Sequence, residues 1–324
     1  MAIVNGLLRA MSFALVALCC PGVHAQTYPE RQVRLLVPYG AGSSTDQLAR
    51  ILGEAITLET KQPVLVDNRP GAEGFIGVQA AAAAAPDGYT ILVTTNSTQV
   101  INVHLYKKLP YDPLKDFIGV RTLGQSALGM TVNAASPYQN VAQVLDAARR
   151  TPGKLTFGSA TATTRLAGEM LKQLAGVQLL NVPYRANAAT VTALLGREID
   201  MMFSDTALVI PHARPGGPLR ILGVTGQQRM PALPEVQTLK EAGIADYYLT
   251  FWYATWVPAG TPATIVARVN DMLAKAMRSP AAQAFLTNGG AENFEVAGDA
   301  LTAFQVDEIA RFGRLVKAAN MEPQ

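Results

Sequence analysis

Glycine and hydroxyl residues follow the first apolar strand of the chain at a spacing that could hold an anion. Val33–Pro38 is a short apolar run, and Tyr39–Asp46 then reads Tyr-Gly-Ala-Gly-Ser-Ser-Thr-Asp. Gly40 and Gly42 permit a tight turn, and the hydroxyl residues after them are favoured where a helix begins. A helix over Asp46–Leu58 would direct its N–H groups and positive dipole end into this turn. The pattern therefore predicts a loop for a carboxylate or phosphate, although it also suits a plain strand-to-helix connection.

Two further loops of similar composition follow predicted strands. Thr94–Thr98 reads Thr-Thr-Asn-Ser-Thr, and Gly158–Thr164 precedes a helix that starts near Arg165. Ligands in open α/β sheets bind beyond the carboxyl ends of the strands, where adjacent connections diverge. We therefore expect the three loops to line one cleft with uncharged hydrogen-bond donors. Arg165 could hold a ligand carboxylate through two parallel hydrogen bonds, or it could lie on the surface.

Asp46, Asp205 and Tyr184 are the remaining polar candidates near predicted strand ends. Asp46 at a helix start is suited to stabilising the turn or the helix dipole. Asp205 follows a strand, where it could form hydrogen bonds in the cleft or cap a helix. Tyr184 could line the cleft or belong to a solvated loop. Alternation within the aromatic segment Phe251–Trp256 predicts that some rings enter the core and others face the cleft.

The sequence offers no catalytic or metal-binding pattern. It lacks the Gly-x-Ser-x-Gly turn of serine hydrolases, and beyond residue 25 its histidines are His104 and His212, without partners at metal spacing. A nucleophile with an oriented base is therefore not expected, and neither a cofactor nor a metal is predicted. With 27 basic and 24 acidic residues, the near-balanced charge argues against nucleic-acid binding.

Residues 1–25 have the features of an export signal. Arg9 precedes the apolar run Met11–Cys20, and small residues lead to a cleavage point after Ala25. The run is too short to span a membrane. Both cysteines of the chain lie in it, so the mature protein would contain no disulfide or thiol ligand. The residues before them fit the lipoprotein cleavage pattern poorly, and we expect a periplasmic protein without a lipid anchor.

Short apolar segments alternate with helical ones along most of the chain. Strands are predicted at Val33–Pro38, Val64–Asn68, Thr90–Thr94, Gly119–Leu123, Met130–Asn133, Leu155–Gly158, Leu179–Val182, Ile199–Phe203, Arg220–Thr225 and Tyr253–Val257. Helices are predicted at Asp46–Leu58, Gly71–Ala85, Val141–Arg150, Leu166–Ala175, Ala188–Leu195, Ile265–Met277 and Leu301–Ala319. This alternation predicts an α/β fold with parallel sheets covered by helices on both faces. The 324 residues are ample for two α/β lobes.

These loops belong to a series of short motifs through which the chain resembles the Bug-type extracytoplasmic solute receptors, the periplasmic binding proteins of tripartite tricarboxylate transport. The resemblance runs from about Tyr28 to near the C-terminus. Each motif is short, but their order and joint presence are specific. They are Tyr28–Pro29, Pro38–Arg50, Pro63–Ala72, Ala85–Thr90, Leu105–Pro113, Val182–Tyr184, Asp200–Phe203, Ala232–Glu235, Glu241–Gly243 and Pro258–Pro262.

The resemblance implies a two-lobed periplasmic-binding-protein fold of type II character, with two parallel-rich sheets flanked by helices and a hinge of two crossing segments. Residues 26–125 and 251–324 would form lobe 1, and residues 126–250 would form lobe 2. It also implies a small organic acid as ligand, membrane permease subunits as partners, and a monomer without enzymatic activity. Together with the loop patterns, it assigns to the cleft Tyr39, Gly40, Ala41, Gly42, Ser43, Ser44, Thr45, Asp46, Asn96, Ser159, Thr161, Thr163, Arg165, Tyr184 and Asp205.

The sequence departs from the family pattern at three places. Ser43 and Ser44 stand where the family usually has more glycine, the loop Gly158–Thr164 is about two residues shorter, and Ser204-Asp205 replaces the usual Asp-Asn. The expected ligand is a mono- or dicarboxylate, and its identity stays open. Two alternatives to a transport receptor are a receptor that signals to a membrane sensor and an exported α/β hydrolase.

Overall fold

The strand Phe117–Asn133 is the longest of the fold and organises the sheet around it. The computed structural model describes residues 28–324, so the predicted export signal lies outside the described residues. The strands are β1 Val33–Val37, β2 Val64–Asn68, β3 Thr90–Thr95, β4 Phe117–Asn133, β5 Thr156–Ser159, β6 Leu180–Pro183, β7 Met201–Asp205, β8 Leu219–Val224 and β9 Thr250–Pro258.

The helices of the same region cover the faces and edges of this sheet. They are α1 Ser44–Thr60, α2 Phe75–Ala82, α3 Asn102–Leu105, α4 Val141–Arg150, α5 Ala162–Ala175, α6 Asn187–Leu195, α7 Thr206–Val209, α8 Ala263–Met277, α9 Pro280–Gly289 and α10 Asp299–Ala318. Shorter helical turns occupy Ala72–Gly74, Ser97–Ile101 and Ile210–His212. Within residues 28–324, no helix combines the length and apolar character needed to cross a membrane.

The strands form one sheet in the order β2-β1-β3-β9-β4-β7-β5-β6, with β8 also paired to β4. The outer pairs β1–β2, β1–β3, β5–β6 and β5–β7 are parallel, as the alternation with helices predicts. The pairs made by β4 and β9 are antiparallel instead. The sheet is therefore parallel in its outer parts and antiparallel at its centre, where neighbouring strands need no crossover helix and can be joined by loops.

Strand β4 passes from one half of the sheet to the other. Residues 117–127 pair with β9, whereas residues 128–133 pair with β7 and β8. The sequence predicts two separate strands here, because glycines interrupt the apolar pattern. One of them is Gly124, where the register with β9 shifts and where a Cβ would lie 2.9 Å from Leu286 Cδ2. The glycine therefore permits close packing at an irregularity and does not end the strand.

Thr225 joins the two segments that cross between the halves. Its N–H donates to Leu128 O at 3.0 Å, and its Oγ1 accepts from Leu128 N–H at 2.9 Å. Its hydroxyl also donates to Leu249 O at 2.6 Å, and its carbonyl accepts from Leu249 N–H at 2.9 Å. Leu128 belongs to β4 and Leu249 immediately precedes β9. One fully buried side chain thus connects both crossings.

The helix α1 shows how local sequence fixes the start of the site. Leu48, Leu52 and Ile56 are fully buried at a spacing of four residues, which gives the helix one apolar face toward the sheet. Gly53 lies between them, and a Cβ there would approach Val64 Cγ1 of β2 to 3.1 Å. Burial of this face sets the direction of the helix, and with it the position of its N-terminus at the carboxyl end of β1.

Candidate functional site

A narrow cleft lies where loops leave the carboxyl ends of β1, β3, β5 and β7. Its cavity is about 10 Å³, room for about one water molecule, so the walls of the cleft lie almost in contact. The three hydroxyl-rich loops expected from the sequence all contribute side chains to it. The lining residues are Tyr39, Ser43, Thr45, Thr95, Thr161, Thr163, Asn187, Asp205 and Phe251.

Three helices begin at this cleft. Ser43 is the N-cap of α1, Thr161 is the N-cap of α5, and Asn187 is the first residue of α6. The N–H groups of a first helical turn have no carbonyl of their own helix to bond to, and the helix dipole adds a partial positive charge there. The cleft therefore presents converging N–H donors and hydroxyls, an arrangement that favours an anion.

The loop after β1 is held by Asp46. Its carboxylate accepts from Gly42 N–H at 2.8 Å, from Asn68 Nδ2 at 3.0 Å and from Arg50 Nε at 3.1 Å. Burial by itself would raise the pKa of Asp46, but the hydrogen bonds from Arg50, Gly42 and Asn68 outweigh it and lower that pKa. Gly42 adopts φ +80°, which glycine tolerates best. Asp46 thus stabilises the turn, and Ala41 and Gly42 at its tip are exposed.

Several contacts join the loops from opposite sides of the cleft. A Cβ on Gly40 would lie 2.9 Å from Ala186 Cβ, so the first loop packs tightly on the segment before α6. Ser97 Oγ accepts from Ala162 N–H at 3.0 Å at the start of α5. Asn96 is buried and donates from Nδ2 to Thr250 O at 3.3 Å. These contacts hold the loops around the cleft against one another.

The second loop uses some of its predicted ligand groups for its own structure. Ser159 Oγ donates to Asn181 Oδ1 at 2.8 Å, and Thr161 forms a reciprocal capping box with Thr164. Tyr184 donates its N–H to Ser159 O at 2.7 Å, and its ring packs against the apolar cluster around Leu194. Ser159 and Tyr184 are not among the lining residues, and their roles in binding stay predictions.

Arg165 forms an ion pair with a protein carboxylate. Its Nε lies 3.1 Å from Glu73 Oε1, with 13% and 18% of the two side chains exposed. Tyr106 OH also donates to Glu73 Oε2 at 3.2 Å. Burial raises the pKa of Glu73, although the positive charge of Arg165 opposes that shift. Arg165 does not line the cleft here, so its predicted contact with a ligand carboxylate stays a prediction.

Asp205 is a buried carboxylate in the cleft wall. It ends β7, pairs in register with Leu128 at the crossing of β4, and is 7% exposed. Its Oδ2 accepts from the hydroxyl of Ser44, the first residue of α1. Burial raises the pKa of Asp205 to about 6, opposed by the hydrogen bonds from Ser44 and from its own backbone N–H. Unlike Asp46, it forms no ion pair within residues 28–324.

Sequence reasoning missed Thr95, Asn187 and Phe251 as individual lining residues. Thr95 belongs to the loop Thr94–Thr98, which the sequence predicts at the cleft, but strand alternation alone does not show which of its hydroxyl groups faces the ligand. Asn187 stands just before the predicted helix Ala188–Leu195, and asparagine at that position is typical of a helix start. Phe251 lines the cleft while the neighbouring Trp252 is buried and donates from Nε1 to Glu308 at 2.9 Å. That alternation agrees with the prediction for the aromatic segment.

Comparisons of the sequence and of the structure with known proteins identify the same family. A family model described as the tripartite tricarboxylate transporter family receptor matches residues 48–321. A UPF0065 protein of Bordetella bronchiseptica is 34% identical over 326 residues, covering 99% of this chain and 96% of that one.

Within residues 28–324, no group of three or more His, Cys, Asp or Glu side chains could hold a metal ion.

Three solved structures match nearly the whole chain. The periplasmic binding protein BugD has a TM-score of 0.87 at 30% identity, covering 92% of this chain and all of that one. Rpa4515 of R. palustris with adipate has a TM-score of 0.88 at 30% identity over the same shares. MatC of Rhodopseudomonas palustris with bound malate has a TM-score of 0.83 at 27% identity, covering 89% of this chain and all of that one.

Proposed function

The chain belongs to the tripartite tricarboxylate transporter receptor family, whose members are solute-binding receptors and not enzymes, and we propose that it captures a small mono- or dicarboxylate. The observation that carries this proposal is the convergence of three helix N-termini on one cleft in which six of the nine lining side chains carry a hydroxyl group. Such a cleft supplies hydrogen-bond donors and partial positive charge to an anion without a basic side chain.

The ligands of two structural neighbours support the same class. Rpa4515 was solved with adipate and MatC with malate, and both molecules are small dicarboxylates. At 30% and 27% identity the side chains that touch the ligand can differ, so the neighbours support an organic acid and leave its identity open.

We propose that the ligand is bound by closure of two lobes, residues 26–125 with 251–324 and residues 126–250. The pairing of β4 first with β9 and then with β7 and β8 supports a division near residue 127. The hydrogen bonds of Thr225 to Leu128 and Leu249 support a hinge at the two crossings. Hinge closure of this kind buries a ligand between lobes while each lobe moves as a unit.

The proposal places the mature protein in the periplasm, where it would act as a monomer after cleavage at Ala25. It would deliver its ligand to the membrane permease subunits of a tripartite tricarboxylate transporter. The family supports this transport role over a sensory one, and a sensor would share the same ligand site.

A binding screen with matched variants tests the ligand site. The mature protein is refolded to remove any bound molecule and screened by thermal shift and calorimetry against small mono- and dicarboxylates. An acid at about a hundred times its dissociation constant should add about 2.7 kcal/mol to the free energy of unfolding. Thr45→Val and Thr163→Val remove hydroxyl groups from the cleft and should weaken binding about tenfold.

Thr57→Val is the control, because Thr57 lies on the same helix α1 but lines an open depression between α1 and β2. It should leave the dissociation constant unchanged. Binding of no acid in the screen would contradict the proposal. Loss of binding in Thr57→Val with normal binding in Thr45→Val would indicate that the ligand binds in that depression instead of the cleft.

A further inference from the structure

Asp205 has fewer partners than any other buried carboxylate in the described part of the chain. Asp46 contacts Arg50 and Asn68, and Glu308 contacts Arg311 and the indole of Trp252. Asp205 accepts a side-chain hydrogen bond only from the hydroxyl of Ser44 and forms no ion pair within residues 28–324. A buried carboxylate without a cation is unfavourable unless other donors complete its hydrogen bonding.

A further donor can reach Asp205 from the cleft that this residue lines. The phenols of Tyr39 and Tyr253 lie near enough to interact electrostatically with Asp205, but no hydrogen bond joins either phenol to it in the described part of the chain. Ser44 already donates its hydroxyl. The open side of Asp205 faces the cavity that it shares with Thr161, Thr163 and other hydroxyl residues. A ligand that separates the walls of this cavity and binds between them would therefore lie beside the carboxylate.

The cleft thus has two chemically different ends. The starts of α1, α5 and α6 favour a negative group, whereas a second carboxylate beside Asp205 would be repelled or would have to bind with a proton. A hydroxyl or ammonium group at that position would instead donate a hydrogen bond to Asp205.

We infer that Asp205 selects the ligand, and that the ligand is a hydroxy or amino acid whose hydroxyl or ammonium group donates to this carboxylate while its own carboxylate lies at the helix N-termini. This inference rests on the proposed function and narrows it. An unsubstituted acid of the same length leaves Asp205 buried without a donor and is discriminated against, because a site built to pair with a polar group rejects the analogue that lacks it.

Matched acids that differ at one atom test this inference. Calorimetry on the ligand-stripped mature protein at pH 7.5 would compare succinate, L-malate and L-aspartate. Propionate, L-lactate and L-alanine form a shorter series, and glutarate, L-2-hydroxyglutarate and L-glutamate form a longer one. Within the series that binds, the hydroxy or amino acid should bind at least about tenfold more tightly than the unsubstituted acid.

Asp205→Asn removes the charge while keeping the shape of the side chain, and it should reduce that ratio to about threefold or less. Asp200→Asn is the control, since Asp200 stands just before the same strand β7 and accepts from Thr156 N–H at 2.7 Å, away from the cleft. It should leave the ratio unchanged. Because the wild-type ratio is measured without any variant, the comparison does not depend on how Asp205→Asn folds.

The outcomes separate this inference from the proposed function. If an unsubstituted acid binds as tightly as its hydroxy or amino counterpart, the inference is wrong and the carboxylate receptor remains. An unchanged ratio in Asp205→Asn would also overturn the role of Asp205, although the protein would still bind substituted acids. If no acid of any series binds, both the inference and the proposed function are contradicted.

Discussion

The loop after β1 and the end of β7 face the same cleft, and each carries a buried aspartate, but the two carboxylates have opposite surroundings. Asp46 is neutralised by Arg50 and by donors from Gly42 and Asn68, which lower its pKa. Within residues 28–324, Asp205 has a single side-chain donor, Ser44, and burial raises its pKa to about 6. A carboxylate compensated by protein groups supports the fold, whereas one left uncompensated beside a cavity marks a position for a ligand.

The largest expected effect is on the stability of the first loop. Asp46→Ala removes the acceptor of three protein donors and leaves Arg50 and Gly42 N–H without it. We expect the free energy of unfolding to fall by about 3 kcal/mol, measured by urea denaturation at pH 7.5. Asp205→Asn removes an uncompensated buried charge and should leave the same quantity unchanged or raise it. Equal losses in both variants would remove the distinction between the two aspartates.

The contributions of Asp205 and Asp46 to the free energy of unfolding should change with pH in opposite directions. The folded pKa of Asp205 is about 6, above its ordinary value of 3.8, so its stabilisation is full below about pH 4 and is lost as pH rises through 6. The shift corresponds to about 3 kcal/mol. Wild-type protein should therefore gain about that much stability relative to Asp205→Asn between pH 7.5 and pH 4.

Asp46 should behave in the opposite way. Its folded pKa is lowered, so its stabilisation is present above the ordinary pKa of an aspartate and is lost as pH falls through the folded value. Denaturation of wild-type protein and Asp46→Ala at several pH values between 3 and 7.5 measures the difference. A wild-type advantage that grows toward acid would contradict the hydrogen-bonded role of Asp46.

At a third carboxylate, Glu73, the effect of a cation partner can be tested directly by removing Arg165. Arg165→Met should leave Glu73 largely buried without a cation and lower the free energy of unfolding by about 2 kcal/mol. Adding Glu73→Gln should restore most of that loss, because no buried charge then remains. Chemical denaturation of the single and double variants measures both effects. A double variant as unstable as Arg165→Met would show that Arg165 stabilises by packing alone.

The smallest expected effect concerns Ser44, the one side-chain donor to Asp205 in the described part of the chain. Ser44→Ala should lower the free energy of unfolding at pH 8 by about 1.5 kcal/mol, because a buried carboxylate loses its hydroxyl partner. In the background of Asp205→Asn the same change should have a smaller effect, which a double-mutant cycle measures. Identical effects in both backgrounds would mean that Ser44 acts through the helix start and not through Asp205.

The parts of this molecule that are determined locally could be predicted from the sequence. Val64–Asn68 and Val141–Arg150 have the predicted bounds, because an apolar pattern and neighbouring turn or cap residues define them. The glycine and hydroxyl residues of Tyr39–Asp46 are sufficient to predict a loop at a binding cleft, and side chains of this loop do line the cleft. Local composition was sufficient wherever an element's ends are marked by its own residues.

The features that depend on distant partners could not be predicted. The single strand β4 crosses the sheet despite its glycines, because β9 pairs along one part of it and β7 and β8 along the other. The ion pair of Arg165 with Glu73 likewise joins residues that lie far apart in the sequence. The lack of a cation at Asp205 is likewise a property of the assembled site and not of any motif.

A crystal structure of the mature protein with the tightest-binding acid of the matched series is the most direct test of this account. It should show the ligand carboxylate within hydrogen-bonding distance of first-turn N–H groups of α1 or α5, and the ligand hydroxyl or ammonium within that distance of Asp205. An acid bound instead in the open depression between α1 and β2, or a carboxylate seated directly against Asp205, would contradict it.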